Sequence, residues 1–298
     1  MSKTGELAVF YRGDKSIINT YPGTSLDNKY SLNTVDICPV GALTDADFRF
    51  QVRVWFLEET KSVCPGCSNN CSIRICHRRG KVYRLLPRKN MDVNKVWMCD
   101  YGRFTHKQIE ARNRLTVPLV KKGNKLEEVS WDEAFDTTAK GMQKIKNNGI
   151  GAIASPHATN EECYLFNKLI KNVFNSNDIE CIVPSWEADD LLIKKEKAAN
   201  PQGARELGVK TNGTSSVKKI IKKIKRGNLK ALYIIGNDII DNSNTKQDVL
   251  QSLSKLDFLV VQDTHNSDLS SIANVVLPSA TFAEKEGTFT NINGFVQK

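Results

Sequence analysis

The sequence predicts an α/β protein in which a small β-rich module precedes an open, mostly parallel α/β sheet. Three observations predict it. Between residues 51 and 87 the apolar residues recur with period two, the signature of strands. Past Pro118, short apolar runs alternate with amphipathic helical stretches, the pattern of a parallel sheet wrapped by helices. Four cysteines, Cys64, Cys67, Cys71 and Cys99, are spaced as ligands within the first region.

Residues 1–50 do not make a self-contained unit. Leu7, Val9, Phe10, Ile17, Ile18, Val35 and Ile37 are apolar with no full domain to bury them, so these surfaces are expected to seek another region or subunit. Cys38-Pro-Val-Gly-Ala-Leu43 contains a Cys-Pro of the kind that closes a ferredoxin-type cluster. No cysteine precedes it, so Cys38 is expected to bind no cluster in this chain.

Residues 51–113 form the β-rich module. Gln51-Val-Arg-Val-Trp-Phe56, Ser72-Ile-Arg-Ile-Cys76 and Lys81-Val-Tyr-Arg-Leu85 each alternate, and Arg79-Gly80 is the expected hairpin turn. Cys76 falls mid-strand and reads as a packed thiol. His77 reads as a surface residue of the hairpin.

Residues 114–298 form the α/β domain. Ser130-Trp-Asp-Glu133 is a capping box ahead of a helix from Ala134 toward Ile145. Strands are expected at Gly151–Ala154, Leu229–Ile235, Phe258–Val261 and Val275–Val276. Helices are expected over Asn160–Phe174 and Asp248–Leu256, and a linker-like stretch over Asn200–Ser216. Val217, Ile220, Ile221 and Ile224 share one helical face, and the lysines between them are its solvated side.

The chain has 298 residues and a formal charge of +10. That charge suits an acidic protein surface, an anionic membrane face or nucleic acid. The amphipathic lysine helix accounts for much of it without any of them. No run approaches the roughly 18 apolar residues of a membrane span, and the first residues carry no signal-peptide pattern, so the reducing cytoplasm is the expected compartment. Eight cysteines are too sparse for a disulfide scaffold.

Cys64-Pro-Gly-Cys67-Ser-Asn-Asn-Cys71 puts three thiols in one tight loop, with Cys99 as a distant fourth. Three thiolates plus a remote one is how a chain wraps a [4Fe–4S] cluster. Pro65 and Gly66 allow the sharp turn that aims backbone N–H groups at sulfur. A zinc ribbon normally supplies two Cys-x-x-Cys knuckles, and here the distal end has only Cys99. Zinc and four packed thiols are the alternatives. There is no Gly-x-Gly-x-x-Gly after a strand, no P-loop and no Gly-x-Ser-x-Gly elbow. Ser155-Pro-His-Ala-Thr-Asn160-Glu-Glu follows a strand and opens a helix. It reads as an anion site or as a plain N-cap at Thr159 or Asn160. Glu284–Asn291 is a polar loop of undefined role.

Val35-Asp-Ile-Cys-Pro-Val-Gly-Ala-Leu43, Phe48-Arg-Phe50, Arg53-Val-Trp-Phe-Leu57 and the Cys64–Cys99 pattern together resemble the large iron–sulfur subunit of bacterial NADH:quinone oxidoreductase, complex I. Asn160-Glu-Glu-Cys-Tyr-Leu165, Ile235-Gly-Asn237, Val261-Gln-Asp263 and Val276-Leu-Pro-Ser-Ala-Thr-Phe-Ala-Glu-Lys-Glu-Gly-Thr-Phe-Thr-Asn291 are similar to the wider molybdopterin oxidoreductase family. The resemblance covers nearly the whole chain. It implies that residues 1–50 are the tail of a ferredoxin-like domain and that the chain is an internal fragment. Catalytic molybdenum relatives carry a lysine two residues past the fourth cluster cysteine. Tyr101 stands there. Cys163 lies in a helical pattern and Cys181 in a strand-like one, so neither reads as a molybdenum ligand, and Phe295 stands where an arginine is usual.

The resulting expectation is an iron–sulfur electron-transfer subunit of NADH:quinone oxidoreductase, not catalytic alone. It carries [4Fe–4S] on Cys64, Cys67, Cys71 and Cys99 and no molybdenum. Its partners are other subunits of the peripheral arm, on the cytoplasmic side of the inner membrane. It is expected to have no transmembrane segment and no direct nucleic-acid partner. The alternatives are part of a molybdopterin-dependent oxidoreductase such as formate dehydrogenase, and a zinc-binding nucleic-acid module.

Overall fold

A computed structural model describes residues 5–145, 149–211, 214–236, 238–241 and 246–298. Asn237 and residues 212–213 of the linker-like stretch fall outside them. The chain divides into two compact units. The first comprises Met1–Ser62 and Cys71–His106. The second comprises Val63–Asn70 and Lys107–Lys298.

In the first unit, β1 (Leu7–Phe10) and β2 (Ile17–Thr20) form an antiparallel pair in which Leu7 faces Thr20 and Phe10 faces Ile17. Val9, Ile17 and Ile18 stay exposed, as does Ile37 at the end of helix α1 (Asn33–Ile37). A three-stranded sheet follows in the order β3 (Glu58–Val63), β4 (Ser72–Arg78), β5 (Lys81–Pro87). The β4–β5 hairpin turns where expected. Arg79 and Gly80 both take positive φ, 51° and 78°, which the primed two-residue turns require. The run at 51–56 is not a strand. Phe56 N–H donates to Arg53 C=O and Leu57 N–H to Val54 C=O, which winds Val54–Phe56 into a 3₁₀ turn. Its side chains are held by stacked cations instead of a sheet face: Arg53 lies over Trp55 and Arg78 over Phe56. Helix α2 (Asp100–Phe104) closes the unit.

The second unit is a three-layer α/β fold on a seven-stranded sheet. Its strands are β6 (Leu119–Lys122), β7 (Lys125–Glu128), β8 (Ile150–Ala154), β9 (Ile179–Cys181), β10 (Ala231–Ile235), β11 (Phe258–Asp263) and β12 (Val275–Pro278). The order is β7-β6-β12-β11-β10-β8-β9. β12 through β9 are parallel, and β6 and β7 add an antiparallel edge. Successive residues of each central strand enter opposite cores, as a pleat requires. Ala231, Tyr233 and Val260 face one core, and Leu232, Ile234 and Leu259 the other. Helices α3 (Trp131–Gln143) and α4 (Asn160–Lys168) supply Met142, Cys163 and Phe166 to the first core. Helices α6 (Thr214–Lys225), α8 (Lys246–Leu253) and α9 (Asp268–Ile272) supply Val217, Ile220, Ile224, Val249, Leu253 and Leu269 to the second.

Ser130 caps α3 by accepting from Glu133 N–H at 3.2 Å, while the Glu133 carboxylate pairs with Lys122. The helix after Asn160 is regular only to Lys168. A π turn spans Leu169–Val173, closed by Phe174 N–H on Leu169 C=O. The stretch read as a linker contains helix α5 (Pro201–Glu206), with Pro201, Gly203 and Ala204 buried. Its Gly and Asn content serves close packing: a Cβ on Gly203 would lie 2.0 Å from Asn160 Oδ1. On α6, Lys219 pairs with Glu180 and Lys223 with Asp178, so part of the basic face is neutralised within the unit. The short helix α7 (Asp238–Asp241) and the strand pair β13 (Phe289–Thr290) and β14 (Val296–Gln297) complete the unit.

Candidate metal centre

The four cysteines expected as ligands are all buried thiols outside any disulfide. Cys71 and Cys99 belong to the first unit, Cys64 and Cys67 to the second. Among the described residues, no group of three or more histidine, cysteine or carboxylate side chains is placed to hold a metal ion.

Cys71 leads directly into β4. Ser72 N–H donates to Asn94 Oδ1 at 3.0 Å, and Asn90 Nδ2 donates to Ser72 Oγ at 3.0 Å. Asn94, fully buried, also donates to the carbonyls of Arg88 and Trp97. One amide therefore ties the start of β4 to the strand leaving β5 and to the approach to Cys99. Cys99 is the N-cap of α2, and its Sγ accepts Gly102 N–H at 3.4 Å. Asn33 brackets the preceding residue. It donates to Met98 C=O at 2.8 Å and accepts Met98 N–H at 3.2 Å. Arg103 donates to the same Asn33 oxygen and pairs with Asp36. Asp100 accepts Leu32 N–H at 3.1 Å, and its own N–H donates to Lys29 C=O.

Residues 64–70 form a wholly buried loop. Cys64 Sγ accepts Gly66 N–H at 3.5 Å. Burial pushes the Cys67 thiol pKa up, while backbone N–H groups of Lys194 and Asn69 and the Lys194 charge pull it down. Burial is the larger effect, so the Cys67 pKa is raised overall. The loop backbone is tied on both sides. Ser68 N–H donates to Glu196 C=O at 3.0 Å, and Ile292 N–H donates to Ser68 C=O at 2.8 Å. Gln297 Nε2 donates to Asn70 C=O at 3.0 Å. Three side-chain atoms of the loop, Ser68 Oγ and Asn70 Oδ1 and Nδ2, are buried without a hydrogen-bond partner among the described residues.

The remaining thiols are Cys38, Cys76, Cys163 and Cys181. Cys76 is a packed strand residue 3.9 Å from Glu59 Oε1, and burial raises its pKa. Cys163 on α4 is pushed up to about 12 by burial, and Cys181 at the end of β9 is raised well above the ordinary thiol value. Cys38 is half-buried, its thiol pKa lowered by the backbone N–H of Leu43. His77 lies on the hairpin, 2.9 Å from Thr60 Oγ1.

The helix start at Thr159–Asn160 is a cap. Thr159 Oγ1 accepts Glu162 N–H at 3.2 Å, and Glu162 Oε2 accepts Thr159 N–H at 2.8 Å. Lys285 pairs with Glu162 and Thr288 donates to Glu161. These contacts also give the polar loop Glu284–Asn291 a structural role. Asn160 donates to Thr288 and Thr290. Asn200, fully buried, donates to Ala158 C=O and accepts Thr290 N–H. Sequence reasoning missed Asn33, Asn94, Ser68, Asn70 and Asn200. The Ser-Asn-Asn between Cys67 and Cys71 was the one visible signal; the others are isolated amides with no local pattern.

Three family models match this chain. "NADH-quinone oxidoreductase subunit 3, ferredoxin-like domain" matches residues 1–44 and "Molybdopterin oxidoreductase Fe4S4 domain" matches 57–111. "Molybdopterin oxidoreductase" matches 114–189 and 190–298. An NADH-quinone oxidoreductase subunit of Streptomyces coelicolor is 39% identical over 66% of this chain and 23% of its own length. Subunit 3 of the same enzyme from Thermus thermophilus is 39% identical over 52% of this chain and 20% of its own. An NADH-quinone oxidoreductase subunit of Rickettsia felis is 34% identical over 58% and 26%. The chain thus spans about a quarter or less of these relatives. All three are named as subunits of an oxidoreductase. Among the described residues, no helix is long and apolar enough to cross a membrane.

Proposed function

We propose that this chain, which belongs to the molybdopterin oxidoreductase family, is an iron–sulfur electron-transfer part of an NADH:quinone oxidoreductase. In this reading Cys64, Cys67, Cys71 and Cys99 hold one [4Fe–4S] cluster. When bound, such a cluster accepts and returns single electrons. The observation that carries the reading is the coincidence of the Fe4S4-domain match over 57–111 with four buried thiols in the three-plus-one pattern. Four thiols in three-plus-one spacing are the donor set that such a cluster takes. Two of the thiols already accept backbone N–H groups, from Gly66 and Gly102, as sulfur ligands of clusters do. Buried orphan donors lie in the same loop. Asn94 and Asn33 hold the backbone beside Cys71 and Cys99, and the 196 and 292 segments hold the loop carrying Cys64 and Cys67.

The α/β unit then serves as scaffold without molybdenum. Tyr101 in place of lysine supports this, as do the inert thiols Cys163 and Cys181 and a helix start closed by the protein's own Thr159, Glu162 and Lys285. Partners are other subunits of the peripheral arm, which hold the chain at the cytoplasmic side of the inner membrane and exchange electrons with its cluster on the way from NADH to quinone. The exposed Val9, Ile17, Ile18 and Ile37 are suited to such contacts. No direct nucleic-acid contact is involved.

Anaerobic reconstitution with iron and sulfide, followed by EPR of the reduced chain, tests the reading. About one cluster per chain is expected. Cys67→Ser should lose most of the iron and Cys38→Ala none. A colourless chain with stoichiometric zinc refutes the cluster. The molybdopterin-family match favours one competing reading, a molybdenum or tungsten oxidoreductase. Near-stoichiometric metal of either kind by elemental analysis would establish that instead.

A further inference from the structure

We infer that Ser68 and Asn70 donate hydrogen bonds to the iron–sulfur cluster and raise its reduction potential. This rests on the cluster reading above and concerns residues other than the ligands. Both residues are fully buried, and Ser68 Oγ and both heteroatoms of the Asn70 amide have no hydrogen-bond partner among the described residues. Leaving such groups unpaired in a dry interior is costly, so a partner is called for.

The backbone groups of the same two residues are all committed. Ser68 N–H and C=O are taken by Glu196 and Ile292, and Asn70 N–H by Cys67 C=O at 3.2 Å. Asn70 C=O is taken by Gln297. The backbone of both residues is fully used in anchoring the loop, and only the side chains are left over. They sit between Cys67 and Cys71. Ser68 offers one proton and Asn70 two. Cluster sulfides and cysteine thiolates offer only acceptors, which complements the Ser68 hydroxyl and the Asn70 NH₂ group but not Asn70 Oδ1, itself an acceptor. Asn70 holds a φ of 54°, a left-handed conformation that asparagine tolerates better than most residues. Reduction adds negative charge to the cluster, and a donor stabilises the reduced form more than the oxidised one. Removing a donor must therefore lower the potential.

The test uses the full chain, reconstituted anaerobically, with Ser68→Ala and Asn70→Gly. Glycine keeps the positive φ accessible. The readouts are iron and sulfide content, the midpoint potential by mediated titration, and exchangeable-proton couplings of the reduced cluster in H₂O and D₂O. Iron content is expected to hold. Each variant should be about tenfold harder to reduce, which is about 59 mV for one electron, and should lose one class of exchangeable coupling. Unchanged potentials and couplings in both variants overturn the inference, and would mean the two groups are satisfied by water. Iron loss in both variants with the fold intact also overturns it, assigning them to loop structure. If Asn70→Gly alone loses iron, Ser68→Ala decides by the same criteria. A wild-type chain that takes up no cluster refutes the underlying reading, which distinguishes that failure from this one.

Discussion

Replacing Asn33 with alanine should loosen the backbone that carries Cys99. The Asn33 side chain makes four hydrogen bonds: to Tyr30 C=O at 3.0 Å, to Met98 C=O at 2.8 Å, from Met98 N–H at 3.2 Å and from Arg103 Nη2 at 3.1 Å. Two of the four partners are insured. Tyr30 C=O still accepts Asn33 N–H, and Arg103 still pairs with Asp36. Met98 is wholly buried and would lose the partners of both its N–H and its C=O. Each orphaned buried group costs about 1–3 kcal/mol, so the loss is about 4 kcal/mol. At 1.4 kcal/mol per decade, that is roughly a thousandfold rise in the opening equilibrium of this segment. Hydrogen exchange of peptides spanning residues 96–104, read by mass spectrometry, measures it directly. Asn33→Asp keeps the acceptor for Met98 N–H and Arg103 but loses the donor to Met98 C=O, so it should cost about half as much. Protection in Asn33→Ala within about threefold of wild type would refute this account and leave Asn33 a spectator.

Iodoacetamide applied to the native metal-free chain at mildly alkaline pH should label Cys38 first. Its thiol pKa is lowered by the Leu43 N–H, whereas burial pushes Cys163 up to about 12 and raises Cys181 well above the ordinary thiol value; equal labelling of Cys163, seen by peptide mass spectrometry, would contradict the burial argument. Gly80→Ala should cost about 1–2 kcal/mol, purely from the φ of 78°, because among the described residues no atom beyond the adjacent Arg79 and Lys81 lies within 4 Å of the added methyl; an unchanged denaturant midpoint would count against the positive-φ turn. Asp263→Asn should stabilise the protein at neutral pH. Burial raises the Asp263 pKa despite N–H groups from Thr264 and His265, so the folded state binds the proton more tightly than the unfolded chain. Stability from this group is complete below the ordinary carboxylate range and declines as pH rises through that range toward the raised value. The asparagine variant should lose that decline in a pH series of unfolding curves, and a steeper decline would refute the sign.

The cysteine pattern is legible in sequence because three of the four thiols lie within eight residues, the short fixed spacing that the proposed ligation requires. The α/β alternation is legible because each central strand and helix carries its own apolar period, as Ala152, Ile153 and Ala154 or Val217, Ile220 and Ile224 do. Two readings failed for physical reasons. The alternation at 51–56 is that of a strand, but its aromatic rings are held by arginines from 53 and 78 and its backbone closes on itself. The Gly- and Asn-rich stretch after Asn200 looks like a linker, yet those residues are small and polar because α5 packs closely on the Asn160 and Asn200 amides.

The sequence by itself determined the cysteine spacing, the central parallel strands and their main helices, and the likeness to iron–sulfur subunits of NADH:quinone oxidoreductase; the antiparallel edge β6–β7 and helix α5 were not legible in it. Only the tertiary structure decided which polar side chains support those cysteines. Asn33 reaches Met98, Asn94 reaches Ser72, and Gln297 reaches Asn70 across long stretches of chain. The same folding left Ser68 and Asn70 buried with protons to give. A local pattern encodes residues that act on their neighbours in sequence. A buried amide acts on whatever backbone the fold brings beside it, and that partner is written nowhere near it in the chain.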